Sequence, residues 1–86
     1  MMLGGDPSSM RLLAARFRHE ADEVQNLTVR VGAALADTTW TGPAADRFRS
    51  EWDGTYRGVL ARLQESLHGS AGHVSARVTA IEQATG

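Results

Sequence analysis

The chain contains no cysteine, so neither a disulfide nor a thiolate-bound metal can staple it. At 86 residues it is small enough to bury only about 60–65% of the surface its unfolded form exposes. One core is all it can hold, and a metal, a partner or a second copy has to be considered as support. There is no excess of charge either. Nine basic residues, every one an arginine, stand against ten acidic ones for a net −1. That balance provides no field to draw the chain onto phosphate or anionic lipid, so nucleic acid is not expected as a ligand. Long apolar runs are missing: the uncharged stretch 38–45 carries Thr, Gly and Pro, far from the ~20 apolar residues of a membrane span. No membrane insertion is expected. The opening residues Met1-Met2-Leu3-Gly4-Gly5-Asp6-Pro7 lack the basic region and apolar run of a cleavable secretory signal. Export, if it occurs, is expected to use another route.

The two prolines, Pro7 and Pro43, each follow a capping residue and open a long periodic segment, which predicts two helices over 7–37 and 43–83. Asp6 can accept a hydrogen bond from the first turn, and Pro7 at the first helical position gives up no bond the helix would make. From there Met10, Leu13, Phe17, Ala21, Val24, Leu27, Val31, Ala34 and Leu35 fall on one stripe, at steps of three or four. Arg11, Arg16, Arg18, Glu23 and Arg30 are left to water. Met10, Phe17, Val24 and Val31 stand seven apart, with Leu13, Leu27 and Ala34 as companions and Glu20 as the polar interruption. Such spacing favours long, shallowly crossed helix packing.

The pattern stops at Asp37-Thr38-Thr39-Trp40-Thr41-Gly42-Pro43, where poor helix formers cluster and predict a turn over 38–42. The second stripe reads Ala45, Phe48, Trp52, Tyr56, Val59, Leu63, Leu67, Ala71, Val74, Val78 and Ile81, ten steps over 36 positions. Its mean step is that of an α-helix. Gly54, Gly58, Gly69 and Gly72 lie inside it, each costing about 1 kcal/mol relative to Ala, which leaves open whether the helix kinks or breaks around 69–72. The predicted fold is an all-α antiparallel hairpin forming one domain. Two such rods touch along a single line and leave much of both stripes wet. A four-helix bundle of two chains is therefore expected, homodimeric when the chain is alone and open to a different partner in the cell.

Trp40-Thr41-Gly42, set in the turn between two long helices of a chain just under a hundred residues, resembles the WXG family of type VII (ESX) secretion. The continuation Pro43-Ala44-Ala45-Asp46-Arg47-Phe48 also looks like the family's run of small residues followed by an aromatic. The resemblance covers essentially the whole chain. It implies a secreted helical hairpin that works through its surfaces: Met10, Leu13, Phe17, Val24, Leu27, Val31, Phe48, Trp52, Val59, Leu63, Leu67 and Val74 would form the core and dimer stripe. The partner would be itself or a second small WXG-family protein, with no cleavable signal and a cytoplasmic pool before export. In the family the Trp-X-Gly turn lies beside the partner's tail, and the two form a recognition feature, a role that would fall to Trp40 and Gly42. Trp40 can equally close the end of the bundle as packing, with Gly42 letting the chain reverse.

The family's other hallmark, a Tyr-x-x-x-Asp/Glu tail read by the secretion ATPase, is degenerate here. Val78-Thr79-Ala80-Ile81-Glu82 carries the acid without the aromatic, and Tyr56, the single tyrosine, lies well upstream. Family heterodimers divide this labour between chains, so the resemblance implies the subunit lacking the signal, reaching the ATPase through its partner. Nothing points to catalysis, a cofactor or a metal. His19 and Glu23 share a helical face without a second pair to complete a shell, and His68 and His73 diverge by about 140°. No phosphate loop or nucleophilic grouping occurs, and a two-helix hairpin has no pocket to exclude water. The rival expectation is a cytosolic helical adaptor or dimeric regulator with an incidental Trp-X-Gly.

Overall fold

The helix-start chemistry at Asp6 acts as its residue type dictates. In the computed structural model, which describes residues 4–85, Asp6 is extended and its carboxylate accepts from the Ser9 amide at 3.0 Å and the Ser9 hydroxyl at 2.7 Å. Pro7 follows in the first turn, where an amide would have no partner. Helix α1 then runs Pro7–Asp37. After residues 38–42, Gly42 adopts φ 109°, a conformation that side-chain-bearing residues rarely take, and its carbonyl accepts from the Asp46 amide at 3.0 Å. Helix α2 spans Pro43–Glu51 and helix α3 spans Arg57–Thr85, joined without interruption by a π-helical turn, Trp52–Tyr56. The Arg57 amide donates to the Trp52 carbonyl across five residues, which defines that turn. The described residues contain helices and no strand.

The second helix does not break at 69–72. Helix α3 continues through Gly69 and Gly72, which face solvent; packing of the helix against α1 outweighs their poor propensity. The irregularity instead falls at Trp52–Tyr56, for a reason visible in the packing. Arg11 pairs with Glu82, Arg18 bonds Ser75, and Arg49 bonds Leu35, so the two rods run antiparallel. On α1 the seam positions are Pro7, Met10, Ala14, Phe17, Ala21, Val24, Thr28, Val31 and Leu35, an unbroken alternation of threes and fours, with Glu20 and Gly32 half-buried beside it. On the second rod they are Ala45, Arg49 and Trp52, then Leu60, Gln64, Leu67, Ala71, Val74, Val78 and Ile81, with Gly58, Ser70 and Ser75 half-buried beside them. From Trp52 to Leu60 is eight residues where the repeat needs seven. The π-turn absorbs the extra residue: α3 packs along α1, while the stretch before it reaches α1 through the Arg49–Leu35 hydrogen bond and the Trp52 indole beside Gly32.

The seam is narrow. Its most enclosed members are Ala14, Ala21, Ala45 and Ala71, with Trp52, Val78 and Ile81. Small side chains draw two helices together but cover little neighbouring surface. The molecule measures 64 × 18 × 13 Å with a radius of gyration of 19.2 Å, against about 12 Å for a compact domain of this length. It exposes 6213 Å², where a compact monomer of 9.3 kDa exposes about 5,000 Å².

Two outcomes follow from this geometry. Removing Gly54 restores a seven-residue step, so the shortened chain is expected to fold as a hairpin with a regular second helix and to melt no lower than the parent. Duplicating one residue between Ala71 and Val78 rotates Val78 and Ile81 out of the seam and lowers the melting temperature. Circular dichroism melts check both, and a shortened chain that does not fold contradicts the phase argument. At the other end, the Asp6 carboxyl is held below its ordinary value, first by the Ser9 hydroxyl and then by the Ser9 amide. The ionised cap therefore stabilises the start of α1 above the ordinary carboxylate range, and this contribution is lost as pH falls through the depressed midpoint. In an NMR titration the Ser9 amide should report that same low midpoint, and Ser9→Ala should raise it.

Candidate interaction surface

Seven-residue spacing sorts the flanks of the hairpin as well as its seam. Arg11, Arg18, Gln25 and Gly32 each lie seven apart along one side of α1. This side is polar toward the tail, where Arg11 meets Glu82 and Arg18 donates to the Ser75 hydroxyl at 3.0 Å, and an open groove of about 490 Å³, with the exposed Val29 and Ala33 also in its lining, continues the line. Gln25, Thr28 and Gly32 form one wall of that groove and Arg49, Trp52, Asp53 and Arg57 the other. The Trp52 indole Nε1 lies 3.8 Å from where a Cβ on Gly32 would stand, and Arg57 pairs with Asp53 at 3.4 Å.

The opposite flank is apolar. Leu13, Glu20, Leu27 and Ala34 form its line on α1, each one residue before a seam position. On the second rod Val59 and Leu63 stand across Leu60 from Arg57 and Ala61, which belong to the grooved side. Phe48 and Tyr56 extend the same face toward the connection. Trp40, Phe48 and Tyr56 make a row, with ring centroids 6.2 Å and 6.5 Å apart and planes tilted by 51° and 54°, a favourable aromatic geometry. Leu13, Leu27, Trp40, Phe48, Tyr56, Val59 and Leu63 are all between 41% and 47% exposed. Glu20 is the charged member of the α1 line, and Arg16 meets it at 3.4 Å.

The predicted stripe thus divides in two. Trp52 is buried, while Met10, Phe17, Val24, Val31, Leu67 and Val74 are half-buried along the seam. Leu13, Leu27, Phe48, Val59 and Leu63 turn outward. Trp40 and Gly42 lie in the connection, the indole exposed and resting on Phe48. Val78 and Glu82 are not displayed together: Val78 is buried in the seam and Glu82 pairs with Arg11. His19 Nε2 reaches only Glu20, at 3.9 Å, and among the described residues no three His, Asp or Glu side chains gather to hold a metal ion. No helix of the described residues is long and apolar enough to cross a membrane. Sequence reasoning passed over Ala14, Leu60, Gln64 and Arg49. The first three are recoverable from a heptad read separately before and after Trp52; Arg49 carries no signal beyond its seam spacing.

Comparison with family models, with curated proteins and with solved structures returned no match. The surface must therefore be argued from its own chemistry, which separates two substitutions. Leu63→Asp changes an exposed side chain and should leave the stability of the isolated hairpin within about 0.5 kcal/mol. The same change should weaken association through the flank by about tenfold or more, ~1.4 kcal/mol. Phe17→Asp brings a charge to the half-buried seam and should destabilise the hairpin itself. Chemical denaturation and sedimentation, run side by side, distinguish the two.

Proposed function

We propose that this chain is a WXG-type subunit of type VII secretion that acts by pairing with a second helical hairpin, itself or a related small protein, into a four-helix bundle. The observation that carries the reading is the apolar flank running from Leu13 and Leu27 through Val59 and Leu63 to the Trp40, Phe48 and Tyr56 row. The rod as a whole exposes about 1,200 Å² more surface than a compact monomer of its mass, room enough for the ~800 Å² that one partner in a standard interface contributes. Trp40-Thr41-Gly42 between two antiparallel helices further supports the family reading. In this proposal the chain has no catalytic role and needs no cofactor. It is exported without a cleavable signal from a cytoplasmic pool, and Trp40 and Gly42 contribute to the end of the bundle that the machinery recognises.

The tail supports the division of labour. Where the family carries a signal tyrosine, Val78 offers neither ring nor hydroxyl and is enclosed by α1. Glu82 is engaged by Arg11. A chain built this way depends on a partner bearing the tyrosine motif to reach the secretion ATPase.

Secretion of the chain, measured with and without the gene for a tyrosine-bearing partner, tests this directly. Export should require the partner, and Trp40→Ala in the intact pair should reduce it while the pair still forms. Secretion without a partner contradicts the division of labour. Retention in the cytosol alongside a competent partner and machinery favours the rival reading, a helical adaptor or dimeric regulator.

A further inference from the structure

Three backbone carbonyls at the end of α1 and in the connection converge on one guanidinium. Arg49 Nη1 donates to the Trp40 carbonyl at 2.7 Å, and Nη2 donates to the carbonyls of Thr38 at 3.1 Å and Leu35 at 3.2 Å. The last turn of α1 carries no basic residue of its own. Its free carbonyls, at the negative end of the helix dipole, take their cation from α2 instead. The Thr38 carbonyl also accepts from the Trp40 amide at 3.0 Å, so both backbone polar groups of Trp40 are tied down. Its indole, by contrast, stacks at a tilt against Phe48 and stays 41% exposed. Arg49 is half-buried at a seam position between Ala45 and Trp52, which fixes its stem.

We propose that Arg49 is the positioning residue of the exposed aromatic end: its fork latches the connection to α2 and sets the direction in which the Trp40 indole is presented. This deepens the recognition role given above to Trp40 and rests on it for its biological meaning, though the latch can be measured on the chain alone. The planar fork is what the geometry needs. Two terminal nitrogens divide three carbonyls between them, whereas a lysine ammonium concentrates its donors on one atom and cannot span the same set. A role through charge alone would be met by either residue.

The test uses the full chain labelled with fluorotryptophan, in which fluorine NMR gives one resonance for Trp40 and one for Trp52, the latter buried and serving as an internal control. In Arg49→Met, which keeps the stem, the Trp40 resonance should narrow and shift toward that of free indole, with the Trp52 resonance and the helix content unchanged. Arg49→Lys should behave like Arg49→Met. A Trp40 resonance unmoved in Arg49→Met, or restored by Arg49→Lys, overturns the latch. Resonances of Trp40 and Trp52 that move together in both variants also overturn it, in favour of a general packing role. Export of the pair separates this proposal from the functional one. If Trp40 loosens while export continues, the latch stands and the recognition reading falls. If Trp40 stays fixed while Trp40→Ala abolishes export, the latch falls and the reading stands.

Discussion

The eight-residue step from Trp52 to Leu60 determines which side chains of the second rod meet α1 and which meet water. With a regular helix throughout, the face that begins at Ala45 and Trp52 would continue into Tyr56, Val59 and Leu63 and then run out into Ser66, Ser70 and Arg77. The face that ends at Val78 and Ile81, traced backward, would meet Arg57 and Asp53. Neither phase serves both halves. The π-turn at Trp52–Tyr56 joins them, and its consequence is that Val59 and Leu63 stand outside the seam while Gln64 stands within it.

That arrangement explains how so small a chain has two unlike flanks. The alanine-lined seam brings α1 and the second rod close, but it encloses few large side chains. Polar residues from Arg11 to Gln25, answered by Glu82, Ser75, Asp53 and Arg57, suit one flank to water. The other carries leucine, valine and aromatic rings at nearly half exposure, a patch of the kind that marks an interaction surface. In the proposed pairing, hairpin formation and association fall to different residues of the same apolar stripes.

Much of the fold was legible in the residues. Asp6-Pro7 and Gly42-Pro43 mark the helix starts, and the two stripes establish helices rather than strands. The averaged period of the second stripe concealed the phase change, because Tyr56, Val59 and Leu63 complete an excellent α-helical pattern that the packing does not use. The four glycines of the second segment drew attention to 69–72 on propensity alone, whereas what matters is the mismatch of two heptads around Trp52. Of the candidate surface, the identities of Leu13, Leu27, Phe48, Val59 and Leu63 were legible but their separation from the seam was not. Arg49 was invisible, since its role depends on carbonyls that only the folded connection brings together.

The functional proposal depends on the apolar flank being free in one hairpin and covered in a pair. Methyl accessibility to a soluble paramagnetic agent, measured by NMR across a dilution series of the chain and again with a candidate partner, tests this most directly. The account predicts that Leu13, Leu27, Val59 and Leu63 are strongly relaxed in the dilute chain and become protected together on association, while Val78 and Ile81 are protected throughout. Protection of Val59 and Leu63 in the isolated hairpin, or their continued exposure in an associated form, would contradict it.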